Sequence, residues 1–191
     1  MTTIFETFSE YDRWLTLSVN KAHNIFFDDV FALLSSTYVW VPLYILLLVM
    51  AYFVKNEKRW LWSLIFLLGV SIVVACTDLL SYRVIKPLVH RVRPCHDESL
   101  SGLIHIVDGH CGGLYGFVSS HAANSFGIAT FSFLWLKQRY RFMWLLFGWA
   151  TLICYSRVYL GVHYVGDVIC GAIVGMAIGY VVHQLIMTKR K

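Results

Sequence analysis

Hydrophobic residues in this chain gather into long runs separated by short clusters of charge. Runs over 38–54, 60–80, 121–136, 142–160 and 164–187 meet or approach the roughly 20 mostly apolar residues that a helix needs to cross a bilayer. The pattern predicts an all-α polytopic bundle of about five membrane-spanning helices. The N-terminal stretch reads differently. Ile4, Phe5, Phe8, Tyr11, Trp14, Leu15 and Val19 recur at helical spacing among Glu6, Glu10, Asp12 and Arg13, which fits neither a signal peptide nor a spanning helix. Residues 1–36 are therefore expected to form an interfacial segment that begins with an amphipathic helix. The alternative is a sixth helix inside the bundle, because the continuation "NIFFDDVFALLSST" is also rather apolar.

Composition strengthens the membrane reading. The chain is 58% hydrophobic and only 14% charged, with a mean hydropathy of +0.64, whereas soluble domains carry about 25% charged residues. Basic residues orient it. Lys55, Lys58 and Arg59 fill the first connection, Lys137, Arg139 and Arg141 the third, and Lys189, Arg190 and Lys191 the tail, with Glu57 the one acid among them. By the positive-inside rule these regions, including the C-terminus, are cytoplasmic. The 86–120 connection and the short 157–163 link then share the outer side. The net charge of +5 mostly records this topology and calls for no nucleic-acid partner. Repeats, low-complexity tracts and linkers are lacking, so 1–191 reads as a single domain.

Cys76, Cys154 and Cys170 fall within spans, where they read as small apolar packing residues. Cys95 and Cys111 both lie in the outer loop and are disulfide candidates in an oxidising compartment. A metal site is the alternative, since His90, His96, His105 and His110 surround them; the absence of a C-x-x-C or H-x-x-x-H pairing favours the disulfide.

Three outer clusters hold the reactive groups. In "KPLVHRVRP" (86–94), Lys86 and Arg93 are seven apart and would share one side if the backbone stays helical, although Pro87 and Pro94 oppose that. Snorkelling cations are the innocent reading, but basic residues outside run against the usual bias. In "GFVSSHAANSFG" (116–127), Ser119 or Ser120 caps a helix whose free N–H groups suit an anion, with His121 in the first turn. A plain cap with an interfacial histidine would look the same. In "SRVYLGVHYVGD" (156–167), His163 and Asp167 are four apart, so the carboxylate can take the Nδ1–H bond and leave Nε2 free. Arg157 faces them across a turn containing Gly161. All three clusters fall on one side by a topology derived without them, and together they supply what binding a phosphate and displacing its ester oxygen requires. Asp78 and His183 are the main other ionisable residues near span ends, which offers a transporter, the competing class, no evident path across.

The sequence resembles the type 2 phosphatidic acid phosphatase superfamily, whose pattern is K-x6-RP, then PSGH, then SR-x5-H-x3-D. "KPLVHRVRP" and "SRVYLGVHYVGD" match in full; the middle motif is "VSSH", with Val118 in place of proline and Ser120 in place of glycine. The resemblance covers residues 86–167. It implies that Lys86, Arg93 and Arg157 clamp the phosphate oxygens, that Ser119 and nearby N–H groups complete the cradle, and that Ser120 adjusts the loop or adds a hydroxyl contact. It further implies that His163 attacks phosphorus, Asp167 orients it, His121 protonates the leaving oxygen, and water hydrolyses the phosphohistidine, with no metal or other cofactor. The haloperoxidases of the superfamily are soluble and do not fit this composition. The implied partner is a lipid phosphate in the bilayer of a bacterial inner membrane, reached from the outer side. Undecaprenyl diphosphate or a glycerophospholipid phosphate is the first expectation, and a lipid A phosphate the alternative.

Overall fold

The computed structural model describes residues 4–109 and 111–188; His110 and the tail cations Lys189, Arg190 and Lys191 lie outside them. The chain forms α1 (Ile4–Asn20), α2 (Ile25–Ser35), α3 (Val41–Tyr52), α4 (Arg59–Leu79), α5 (Lys86–Val89), α6 (Ser120–Leu136), α7 (Leu145–Tyr159) and α8 (Val165–Thr188). No strand occurs among the described residues, only an isolated antiparallel bridge between Val92 and Tyr115. The all-α expectation holds. The five predicted runs all become helix, but two helices are long and apolar enough to cross a membrane, Arg59–Val89 and Val165–Thr188. A third crossing is formed if Ile25–Ser35 and Thr37–Tyr52, bent by 67° at Ser36, act as one.

α6 and α8 lie in unusually close contact because α8 presents glycines four apart, Gly171, Gly175 and Gly179, to its neighbour. A Cβ on Gly175 would stand 2.1 Å from the Ala123 carbonyl oxygen, and one on Gly179 2.5 Å from that of Gly127. Small residues at this spacing let helix backbones meet where lipid offers no hydrophobic drive for association. The aromatic core flanks this seam: Phe66 of α4, Phe131 and Trp135 of α6, and Trp149 of α7 belong to one buried cluster. The outer faces are apolar too. Ile72, Leu79, Ile173 and Leu185 are each about half exposed (47, 59, 56 and 58%), the surface expected of a helix bundle solvated by hydrocarbon. Of the three cysteines expected to pack within spans, Cys154 is buried, Cys170 half-buried and Cys76 exposed on α4, where a thiol is apolar enough for lipid.

α4 does not end at Leu79. It widens into a π-helical stretch, Leu80–Ile85, and continues as α5, whose second residue is Pro87. Proline lacks an N–H and clashes with the carbonyl four residues back, and the widened turn absorbs that misfit without breaking the helix. Lys86 is thereby carried to the end of the long helix.

The α6–α8 seam generates a direct test. Gly175→Ala should lower the thermal unfolding midpoint of the detergent-solubilised protein, with an overpacking penalty of about 1–3 kcal/mol. Gly148→Ala on α7, where an added Cβ meets nothing within 4 Å, should leave it unchanged or raise it slightly.

Candidate active site

After α5 the chain turns at His90, whose φ of 54° is left-handed, and runs extended through Arg91, Val92 and Arg93. This short segment pairs with 114–116: Gly116 N–H donates to Arg91 O at 2.8 Å and Arg93 N–H to Leu114 O at 3.0 Å. Extended chain has a period of two, so Arg91 and Arg93 point the same way. Lys86 and Arg93 are therefore not two turns of one helix; the helix ends at Val89, where the left-handed His90 caps it between them. They still meet, because both line the same cavity.

The two arginines reach the two halves of one dyad. His163 Nδ1 lies 3.3 Å from Asp167 Oδ2, and His163 Nε2 lies 3.3 Å from Arg93 Nη1. A guanidinium only donates, so Nε2 is the acceptor and the ring proton belongs on Nδ1, toward the carboxylate. Burial, followed by the positive charges of Arg93, Arg157 and Lys86, holds His163 well below its ordinary pKa, so the ring is neutral at neutral pH. Burial likewise lowers Arg93. Gly116 makes the tight fit possible: a Cβ there would lie 2.9 Å from Asp167 Oδ2 and 3.5 Å from His163 Nδ1.

Lys86, Arg93, Ser120, His121, Arg157 and His163 line a cavity of about 550 Å³. Lys86 Nζ reaches Ser120 Oγ at 3.4 Å and sits 4.9 Å from the Tyr82 ring centre. Arg157 donates to Ser35 Oγ, and its Nε has no partner among the described residues. None of the three cations pairs with a carboxylate among the described residues. Two expected members stand elsewhere. Asp167 is fully buried behind His163. Ser119 heads α6 but makes no side-chain cap bond; it is fully buried, and its Oγ has no partner. Its backbone is clamped instead, with N–H donating to Asp167 O at 3.0 Å and its carbonyl against Gly171. Ser120, not Ser119, reaches the cavity wall.

Sequence reasoning missed the supports of this site. Arg91 bridges Asp167 Oδ1 (2.8 Å) and Asp12 Oδ2 of α1 (2.6 Å), and its guanidinium lies 4.1 Å from the Tyr164 ring centre. Burial opposes its charge, but the Asp167 and Asp12 carboxylates outweigh that and raise its pKa. Asp12 and Thr16 accept the N–H groups of Gly166 and Val165 at the start of α8 (2.8 and 3.1 Å). Asn20 bonds both His105 and the Tyr159 carbonyl. Tyr164 O–H and Arg13 each donate to Asp97 Oδ2 at 2.7 Å. Asp12, Thr16 and Asn20 recur every four residues, a polar stripe that was readable on α1. Phe8, Tyr11 and Trp14 are exposed on the same helix (71, 61 and 59%); Ile4 and Phe5 lie within α1, but their side chains are outside the described set.

Cys95 and Cys111 are bonded, with Cα atoms 5.9 Å apart, so their thiolates are not available to a metal. Of the described histidines around them, His96 stays beside the disulfide while His90 and His105 turn to other partners. His90 meets the Tyr115 ring edge-on, His96 Nε2 approaches Gly112 O at 3.1 Å, and His105 joins His23 and Asp28. The disulfide closes the outer loop beside the site: a Cβ on Gly112 would lie 3.6 Å from Arg93 Nη1.

Comparison with known proteins matches residues 60–191 to the PAP2 superfamily. The chain belongs to this superfamily. It is 34% identical over 173 residues to a lipid A 4′-phosphatase of Bacteroides thetaiotaomicron, covering 90% of this chain and 75% of that one. A lipid A 4′-phosphatase of Porphyromonas gingivalis is 32% identical over 182 residues, with 95% and 75% covered. The fold is shared with a transmembrane PAP2-type phosphatidylglycerolphosphate phosphatase of Bacillus subtilis, at a TM-score of 0.69 and 22% identity over 95% of this chain and 87% of that one. This PAP2 protein is thus a phosphatase of lipid substrates and an integral membrane protein.

Two tests address the supports. Arg91→Ala strands the buried Asp167 and the Asp12 carboxylate, so it should destabilise the folded protein by about 3–5 kcal/mol in a detergent unfolding assay, and Asp12→Ala by less. Asp97 is the acid-sensitive link. Burial raises its pKa, but hydrogen bonds from Ser99, Tyr164 and Arg13 prevail and hold it at about 2, against an ordinary 3.8. A depressed carboxylate stabilises the fold fully above its unfolded pKa and progressively less as pH falls toward its folded one. The wild type should therefore lose stability between about pH 4 and pH 2, and Asp97→Asn should show a shallower loss when thermal midpoints are compared across that window.

Proposed function

We propose that this protein removes a phosphate from an acylated sugar lipid of the lipid A type through a phosphohistidine intermediate. The observation that carries the phosphate reading is the set of Lys86, Arg93 and Arg157, three largely buried cations that share the His163 cavity with no carboxylate partner among the described residues. Buried charge is expensive unless compensated, and a phosphate dianion entering the cavity supplies the compensation. Among the substrates open from sequence, the glycolipid phosphate draws support from the two lipid A 4′-phosphatases at 34% and 32% identity.

Arriving phosphate oxygens draw the Arg93 guanidinium away from Nε2, which frees the lone pair to attack phosphorus. The N–P bond forms as the P–O ester bond breaks, and His121 transfers a proton to the departing oxygen. Asp167 stabilises the positive charge that develops on the ring through Nδ1–H. Water then attacks phosphorus as the N–P bond breaks, its proton passing to the His121 that was deprotonated in the first step, and phosphate and neutral His163 are released. Arg157, Lys86 and Ser120 hold the phosphoryl oxygens throughout.

The setting is a membrane boundary on the outer side of a bacterial inner membrane. α6 has 17 residues, and the four-residue turn Arg141–Trp144 leads directly into the 15 residues of α7. α6 reaches the lower end of spanning length by itself and α7 does so together with that turn, which supports five crossings. The polar stripe of α1 faces the protein while Phe8, Tyr11 and Trp14 face outward, as in a helix lying in the interface.

Phosphate release from lipid A, phosphatidate and undecaprenyl diphosphate by the purified protein in detergent tests the reading. His163→Ala should abolish turnover, and acid-free quenching of the wild type should trap an alkali-stable, acid-labile phosphoenzyme. His121→Ala should slow release of a sugar alkoxide far more than that of an aryl phosphate leaving group. Substantial lipid hydrolysis by folded His163→Ala protein would overturn the assignment.

A further inference from the structure

The site described above leaves the Asp78 carboxylate unused. Asp78 stands within the long apolar helix Arg59–Val89, it is exposed, and no cation among the described residues lies within salt-bridge distance of it. An acid in such a helix is costly and is ordinarily kept where it faces a polar cavity with a task. Asp78 does face a cavity. It lines a space of about 670 Å³ that adjoins the phosphate cavity and shares Ser35, Ser120 and His121 with it.

The carboxylate is also held in position. Asn124, one turn beyond His121 on α6, donates its Nδ2–H to Asp78 Oδ1 at 3.0 Å, while the Asn124 side-chain oxygen accepts the hydroxyl of the fully buried Thr77. The amide is engaged at both ends, so its orientation is set by its partners. Asp78 Oδ2 is left as an acceptor without a donor among the described residues.

Location gives this acceptor its meaning. In an in-line displacement from His163 the leaving oxygen emerges on the far side of phosphorus, toward His121, and the space beyond His121 receives the rest of the leaving group. That space is polar at Asp78 and Asn124 and apolar along Leu67, Val70, Ile128 and Ile153. It suits a leaving group that carries hydrogen-bond donors next to the ester and acyl chains beyond.

We propose that Asp78, oriented by Asn124 and Thr77, accepts a hydrogen bond from a hydroxyl or amide N–H of the leaving group and selects sugar-based lipid phosphates. An acylated amino-sugar offers such donors. The diacylglycerol leaving group of phosphatidate has none beside the reacting oxygen, and the departing phosphate of an isoprenyl diphosphate is an anion that Asp78 repels. The proposal rests on the roles assigned to His163 and His121.

The experiment compares kcat and KM of purified full-length wild type, Asp78→Ala, Asp78→Asn and Asn124→Ala on three micellar substrates: lipid A, phosphatidate and undecaprenyl diphosphate. Equal thermal midpoints establish that the variants fold, and Asp78→Asn, which keeps an acceptor oxygen, serves if the alanine variant does not. Asp78→Ala should lower kcat/KM on lipid A by at least about tenfold more than on phosphatidate, as loss of a hydrogen bond to a charged acceptor does. Asp78→Asn should fall between, and the rate on the diphosphate relative to lipid A should rise. An equal loss on all three substrates would assign Asp78 a structural or general electrostatic role and overturn the proposal, as would no loss on lipid A. Failure of the parent reading looks different: the wild type hydrolyses none of the three, or His163→Ala remains active.

Discussion

Asp167 is a fully buried carboxylate, and the nucleophile candidate and the segments around it are tied to it. One oxygen faces His163 Nδ1 and the Tyr164 N–H, the other takes Arg91, and its backbone carbonyl accepts the N–H of Ser119 at the head of α6. An ion buried this deeply survives only if each lone pair is occupied. The requirement joins segments that are distant in sequence: the extended 91–93 stretch, the start of α6, the start of α8 and, through Arg91 and Asp12, the N-terminal helix.

This arrangement separates two kinds of positive charge that composition cannot distinguish. Arg91 and Arg93 are separated by one valine, yet Arg91 is neutralised by Asp167 and Asp12 whereas Arg93, among the described residues, hydrogen-bonds a histidine and backbone carbonyls. The nearby carboxylates of Asp12, Asp97 and Asp167 are engaged by Arg91, Arg13 and Tyr164. Lys86, Arg93 and Arg157 are left to share one cavity with no acid among its described lining residues. Their mutual repulsion and poor solvation are tolerated because the surrounding scaffold is pinned by other bonds, and they leave the cavity primed for an anion.

The helix seam beneath the site has a comparable role. α6 brings Ser120 and His121, α8 brings Asp167, and the two can approach only because Gly171, Gly175 and Gly179 remove the side chains between them. In lipid, where apolar contact alone does not drive helices together, such steric complementarity and a few polar bonds set the geometry. The exposed apolar flanks and the second cavity along α4 and α6 open the same region to the hydrocarbon, so the scaffold that fixes the reactive groups also borders the lipid.

The helices, their apolar character and the three motifs were legible from sequence because each rests on local physics: apolar run length, the i,i+4 geometry of His163 and Asp167, and clusters of cations between hydrophobic segments. The family pattern then singled out Lys86, Arg93, His121, Arg157 and His163, and all five line one cavity. Other features needed the third dimension. Spacing left open whether Lys86 and Arg93 share one helix, and a left-handed His90 with the Val92–Tyr115 bridge delivers Arg93 on extended chain. Ser119 occupies its motif position, but clamping by Asp167 and Gly171 turns the cavity over to Ser120. The roles of Asp12, Thr16, Asn20 and Arg91 are invisible locally because their partners lie far along the chain, up to 154 residues from Asp12 to Gly166. Hydropathy and spacing determine which segments are helical and which residues are candidates. Which charges are neutralised and which remain free is decided only when packing brings distant carboxylates to some cations and not to others.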